Sequence, residues 1–456
     1  MSRFLLKTSE HRIGVVGLSN AGKTAFLTSL IHHLVDHDDS TFPLGKKGVT
    51  LTNFRELPAT GGWPPFPFTA YRKALSQHQK WPEKTRDRAV YSCEFERSDW
   101  AFSDCRLHLH DLPGERLADA AMLGRDYAGW SDHLLALLRN DATYKSVAAA
   151  YLKAVDDPTT TESGLILEYK RLLATLVLSF HRLISPSVFL LDQNGMAAKT
   201  GTVEELAATR LVGLTADAQF VPMGATRRSS DSALSASFAT RFQQYQAEVV
   251  KPFIEALRTC HGLVVLVDVM ALLASGESAY DDQRQLLTDL VTVLKPGENA
   301  LHSVIRHVAQ VVLPYQLRPA WITKLAFVAP KLDLVHPKER DHLQQLLKRF
   351  VGKLANNLAG VQHDFFSVAS VVSTRLFPNS DESHDIVGIP YRDEQGRKLQ
   401  PGPEQRLRVP TIPAEWPTKW SYGQFVFPEV YPFPPTRKDA APDQLQLDRV
   451  FNFLIG

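Results

Sequence analysis

Gly17-Leu-Ser-Asn-Ala-Gly22-Lys23-Thr24 is the stretch from which this chain is best read. It fits G-x-x-x-x-G-K-[ST], the P-loop spacing, and it has the flanks that motif needs. Arg12–Gly17 is a short apolar run with strand character, and Lys23–Val35 follows with helical spacing. The residue types answer a physical need. Backbone N–H groups of Ser19, Asn20, Ala21, Gly22 and Ala25 must converge on phosphate oxygens, so glycines open the turn where side chains would obstruct it. The helix starting at Lys23 adds the positive end of its dipole. Lys23 is placed to reach the β- and γ-phosphates, and Thr24 to offer its hydroxyl to Mg²⁺.

Working outward, strands and helices alternate. Ala89–Phe95 and Arg106–His110 read as a hairpin ending at Asp111, after a loop-rich stretch 45–87. The centre of that stretch, Gly61-Gly-Trp-Pro-Pro-Phe-Pro-Phe68, suits neither a helix interior nor a central strand. From 116 to 254 the apolar spacing is helical, in Leu134–Val155, Leu165–Leu183, Val203–Leu211 and Phe238–Leu257, with a Ser-rich loop expected at 224–237. Leu263–Val267 is continuously apolar, as a parallel strand covered on both faces should be. Leu325–Val328 and Phe365–Ala369 are further strands around a helix at 338–358, which together predict βαβ units. Residues 376–443 are rich in Pro and aromatics and read as short strands and turns, before a closing helix at 445–454. The expected organisation is an α/β domain of a P-loop NTPase with a mainly parallel sheet, residues 1–115 and 255–375. A large helical insertion at 116–254 follows the D-x-x-G loop, and a C-terminal β-rich elaboration occupies 376–456.

Composition narrows the function classes. At 456 residues, 44% hydrophobic and 22% charged, the chain can bury a large core, so disordered and disulfide-scaffold classes are excluded. A net charge of +2 argues against nucleic-acid binding. The three scattered cysteines, Cys93, Cys105 and Cys260, point to a reducing compartment, hence the cytoplasm. No apolar run reads as a transmembrane span, so peripheral association would go through a partner.

Two further motifs complete the site. Asp111-Leu-Pro-Gly114 is a D-x-x-G at a strand end. Asp111 is the candidate for the Mg²⁺ shell through a water, and the Gly114 N–H for contact with the γ-phosphate. Glu115 follows, where many regulatory GTPases have a water-orienting glutamine, and it reads equally as catalytic or as surface. Lys331-Leu-Asp333 follows a strand. There an Asp carboxylate can accept from guanine N1–H and the exocyclic amine while the Lys stem lies along the base, a donor pair that adenine lacks. Pro330 stands where guanine-binding proteins usually have Asn or Thr. Ala369-Ser370 sits where a backbone N–H would meet the guanine carbonyl. Thr85 is the candidate switch threonine for Mg²⁺, with Thr50 and Thr52 as competitors. Arg86, Arg116 and Arg125 read as surface arginines rather than as a cis arginine finger, and the histidines lack metal-ligand spacing. The Trp63–Phe68 patch is either a packed loop or a partner contact.

With these motifs in order, the chain resembles the YcjX-like family of bacterial P-loop GTPases. The resemblance lies in Gly17–Phe26, Trp81-Pro82 with Thr85, Asp111–Glu115 and Lys331-x-Asp333. It implies a Ras-like G domain with a helical insertion, in a cytoplasmic protein associated with stress responses. The motifs themselves give GTP and GDP as bound nucleotides and Mg²⁺ as cofactor, and slow intrinsic hydrolysis and a protein effector or regulator are expected. The alternatives are a P-loop kinase or ATPase acting on a small molecule, and a nucleotide-binding scaffold with negligible turnover.

Overall fold

The computed structural model describes residues 9–17, 21–46, 48–83, 88–99, 104–140, 142–180, 184–186, 202–208, 219–277, 322–356, 360–377, 384–393 and 397–456, apart from 436 and 438, with isolated positions at 280–291 and 358. Two compact units emerge. The first comprises residues 1–114, 257–277 and 295–456, and the second 115–256 and 278–294.

In the first unit a seven-stranded sheet carries β1 (Ser9–Gly17), β2 (Leu51–Leu57), β3 (Ala89–Arg97), β4 (Asp104–Asp111), β5 (Gly262–Leu266), β6 (Lys324–Ala329) and β7 (Gln362–Ser367), in the order β2-β3-β4-β1-β5-β6-β7. The β2–β3 and β3–β4 pairs are antiparallel, and every pair from β4 to β7 is parallel. All five residues of β5 are buried, which explains its unbroken apolar run. Leu107 and Leu109 of β4 enter the core together with Ile13 and Val15 of β1 and Val264 and Leu266 of β5. The helix Lys23–Val35 and the closing helix Leu447–Ile455 pack there too, through Leu27, Ile31, Val450, Phe451 and Leu454. Side chains of this size are worth roughly 1.5–3 kcal/mol each when fully buried.

The loop-rich reading of 45–87 needs correction in two places. It contains β2, an edge strand with few apolar residues, and a helix Phe68–Ser76 that buries Phe68 and Leu75. The Pro-rich stretch between them continues the sheet edge. Val90 N–H donates to Pro64 O, and Phe66 N–H donates to Val90 O, at 3.0 and 2.9 Å. Phe66 and Phe68 are buried and Trp63 stands edge-on to His110, so this patch is packed.

A smaller antiparallel sheet holds β8 (Thr374–Leu376), β9 (Asp385–Pro390), β10 (Gln405–Arg408) and β11 (Val430–Tyr431).

The described secondary-structure elements of the second unit are all helices, with Tyr127–Asn140, Glu162–Phe180 and Ser232–Tyr245 among the longer ones. Its centre is aromatic: Trp130, Phe220 and Phe242 meet ring to ring at 5.3–5.7 Å. The Ser-rich segment expected as a loop is helical instead, as Ala225–Ser230 and then Ser232–Tyr245. Asp231 caps the second helix by accepting from Leu234 N–H at 3.1 Å, and Phe238 and Phe242 dock its inner face. A π-turn at Gln246–Val250 precedes Pro252, which has no N–H to complete an α-helical bond.

Burial lowers the pKa of His11, His33, His110 and His261 to about 4. In the unfolded chain these groups take up protons near pH 6.5, and in the fold only near 4. Their contribution is therefore complete above about pH 6.5 and is lost as pH falls towards 4, on the order of 1 kcal/mol for each. Thermal unfolding should show a Tm several degrees lower at pH 5 than at pH 7.5, whereas a flat profile would contradict these burials.

Candidate functional site

β1 lies between β4 and β5, and the carboxyl ends of β1, β4, β5, β6 and β7 share one edge. In open α/β sheets, ligands bind at that edge, where the strand order reverses. At the end of β1, Gly22 adopts φ 76° and opens the helix Lys23–Val35, whose first turn carries no acidic residue. Phe26 N–H closes the first turn onto Gly22 O at 2.9 Å. Ala21 and Thr24 are buried. Ser19 and Asn20 lie outside the described residues.

β4 delivers Asp111 beside this helix. Val15 of β1 pairs with Asp111, and Leu112 N–H donates to Val15 O at 3.1 Å. Lys23 Nζ stands 2.7 Å from Asp111 Oδ1 and also donates to Leu112 O. Asp111 is fully buried, and beyond the Lys23 ammonium its carboxylate meets no other hydrogen-bond donor among the described residues. A buried carboxylate whose one partner is a lysine ammonium keeps acceptor capacity to spare and suits a hydrated cation, so Thr24 and Asp111 fit Mg²⁺. Three residues on, Gly114 touches the P-loop directly. A Cβ there would lie 1.5 Å from Gly17 O. The chain then enters a 3-10 helix, Gly114–Met122. Thr85 lies outside the described residues, and so does the Glu115 side chain.

The loop after β6 carries Lys331 and Asp333. Lys331 sits in the left-handed region at φ 66°, and its Nζ is 2.5 Å from Asp268 Oδ2. Burial opposes its charge, but the Asp268 carboxylate holds its pKa above the usual lysine value. Asp333 is buried. Its Oδ2 accepts from Ser373 N–H at 2.8 Å and from Ser373 Oγ–H at 2.6 Å, while Thr374 Oγ1 donates to Asp333 O at 2.6 Å. Burial raises the Asp333 pKa, and the Ser373 bonds pull it the other way. Ala369 N–H donates to Leu445 O at 3.0 Å, so of Ala369-Ser370 the N–H to consider is that of Ser370.

Sequence reading missed Asp268 and Ser373. Asp268 was visible as the one charge in the apolar run 263–274. Ser373 has no sequence signal, since its partner is 40 residues away. Among the described residues, no cluster of three or more His, Cys, Asp or Glu could hold a metal, and no helix is long and apolar enough to cross a membrane.

A mixed α/β unit with a mainly parallel sheet, a glycine loop after β1 and a buried carboxylate at the end of β4 fits a Ras-like P-loop fold. The model of the YcjX-like family, DUF463, matches residues 11–456, and the chain belongs to that family. It is similar to the Ras-like GTPase YcjX of Escherichia coli strain K12, 26% identical over 482 residues that span 98% of this chain and 95% of that protein. The Ras-like GTPase YcjX of Shewanella oneidensis strain MR-1 is 27% identical over 481 residues, spanning 98% and 94%.

The Gly17–Gly114 contact leaves no room for a methyl group. Gly114→Ala should force the two loops apart at a cost of about 1–3 kcal/mol and weaken nucleotide binding at least about tenfold. Isothermal titration beside a thermal melt checks this, and wild-type affinity would show that the two loops need not touch.

Proposed function

We propose that this chain is a Mg²⁺-dependent GTP-binding and GTP-hydrolysing switch. The observation that carries the reading is the convergence of Lys23, Asp111 and Gly114 on the P-loop turn. The names of the two relatives, both Ras-like GTPases, support a GTPase-type function. In this reading the loop amides of Ser19 to Ala25 hold the phosphates. Lys23 leaves Asp111 and Leu112 O for the β- and γ-phosphate oxygens, exchanging one set of charge-assisted contacts for another. Thr24, Thr85 and Asp111 serve the metal, Asp111 through water. Bound Mg²⁺ supplies electrostatic stabilisation of the charge on the transferring phosphoryl group. Gly114 N–H senses the γ-phosphate, and Glu115 orients water or lies at the surface. Lys331 and Asp333 read the guanine edge.

We assign residues 1–115 and 255–375 to a G domain and 116–254 to a helical insertion that responds to the γ-phosphate, because the chain passes from Gly114 straight into that segment. Residues 376–456 form the C-terminal elaboration. A cytoplasmic, stress-associated role and an effector or regulator protein belong to the same proposal and rest on the family resemblance.

Titration of nucleotide-free protein with GDP, GTP, ADP and ATP, with and without Mg²⁺, tests the reading. Guanine nucleotides should bind at least about 100-fold more tightly, roughly 2.7 kcal/mol. Comparable adenine binding would favour a kinase or ATPase. Asp333→Asn should move the preference from guanosine to xanthosine nucleotides, and unchanged GTP affinity would remove Asp333 from the base pocket. Hydrogen exchange over residues 116–135 should differ between the GDP and GTP states, and equal protection would count against a responsive insertion.

A further inference from the structure

The loop after β6 is held on two sides by different means. Towards β7 it is well tied: Leu332 N–H donates to Val368 O at 3.1 Å, and Ser373 grips Asp333. Towards β5 the residue in line is Pro330, which has neither a backbone N–H nor a polar side chain. Lys331 makes the tie on that side instead, and its target is Asp268, two residues past the end of β5.

Asp268 divides its two oxygens between two tasks. Oδ1 accepts from Ala271 N–H at 3.0 Å and caps the helix Val269–Ser275. Oδ2 takes the Lys331 ammonium at 2.5 Å. The two ends of this pair differ in exposure. The Asp268 side chain is 7% exposed and the Lys331 side chain 42% exposed, so the carboxylate is a fixed post and the lysine retains an open side. Lys331 also holds a left-handed backbone conformation, which disfavours any residue with a Cβ and needs a restraint to persist. A charge-assisted hydrogen bond to a buried carboxylate is such a restraint.

We propose that Asp268 is a positioning residue of the base pocket. By gripping the Lys331 ammonium it lays the lysine stem where a purine ring stacks, a task that Pro330 leaves without a side chain. The proposal rests on reading Lys331 as a base contact. It goes beyond that reading by naming the residue that keeps this contact in place. The ammonium is anchored at its tip, so the methylene stem stays free for the ring. Asp268 touches no base itself and acts through Lys331.

Asp268→Asn separates the two tasks, because Asn caps a helix about as well as Asp but carries no charge. Lys331→Met keeps an apolar stem and removes the ammonium. In the full-length chain, the two single variants and the double variant form a cycle scored on GDP affinity, with a thermal melt of each. Asp268→Asn should weaken GDP binding about tenfold with a Tm close to wild type, and should have no further effect once Lys331→Met is present. Pyrophosphate affinity should be unchanged, because the phosphate loop is not involved. Wild-type GDP affinity in Asp268→Asn, or an equal loss in the Lys331→Met background, would overturn the proposal. Should Asp268→Asn melt early, Asp268→Ser, which also caps, takes its place in the cycle. Wild-type protein that binds ADP as tightly as GDP would overturn the guanine reading. The same cycle run with ADP then still decides the Asp268–Lys331 coupling, since stacking does not depend on the base edge.

Discussion

β1 has a parallel neighbour on each side, and that pairing governs everything at the carboxyl edge of the sheet. Because β4 runs beside β1 in register, with Val15 opposite Asp111, the D-x-x-G loop must leave the sheet next to the P-loop. Because β5 runs along the other side, with Gly17 opposite Leu266, Asp268 must emerge there as well. The glycines follow from this closeness. Gly17 has Leu266 Cβ 2.9 Å from its own missing Cβ position, and Gly114 faces the Gly17 carbonyl. Three strand ends meeting within a few ångströms need backbone without side chains where they touch.

The same crowding explains why two lysine–carboxylate pairs occur at this edge. Lys23 with Asp111 and Lys331 with Asp268 each join a loop to the neighbouring strand end, and in each pair the carboxylate is buried while the lysine is more open. Removing either carboxylate's partner would strand a buried charge, which is far costlier than losing a surface ion pair. The pairs differ in what a ligand would do to them. In the proposed reading a phosphate would compete with Asp111 for the Lys23 ammonium itself, whereas a base stacking on the Lys331 stem would leave that ammonium on Asp268. On that reading one lysine would change partners and the other would stay.

Much of this was legible in the chain because the constraints are local. The P-loop spacing is set by what a phosphate needs from seven or eight consecutive residues. The β5 run is apolar because both its faces are covered, and the alternation of Leu107, His108, Leu109 and His110 marks β4. Less legible were segments whose structure is set by distant contacts. β2 has an exposed, mixed pattern because it is an edge strand paired to β3 alone, so its residues carry no core signal. The Ser-rich segment at 224–237 folds as helix because Asp231 caps it and Phe238 and Phe242 have aromatic partners, and composition shows neither. Ser373 and Asp268 meet Asp333 and Lys331 only through strand order.

The C-terminal residues reach further into this site than their Pro-rich composition suggests. Ser373, just before β8, and Thr374, its first residue, both hydrogen-bond Asp333. Trp81 precedes the candidate switch threonine, and its indole N–H donates to Val430 O in β11 at 2.7 Å. His32 and His33, on the helix that begins at Lys23, contact Asp439 O and Pro442 O at 3.1 and 3.0 Å. The loop after β6, the stretch before Thr85 and the helix Lys23–Val35 therefore each lean on a different part of the segment 373–442. Leu447, Val450 and Phe451 then lock that segment into the core beneath the sheet. Loosening the closing helix would remove the support behind all three at once, so the end of the chain is structurally part of the unit that holds the seven-stranded sheet rather than an appendage to it.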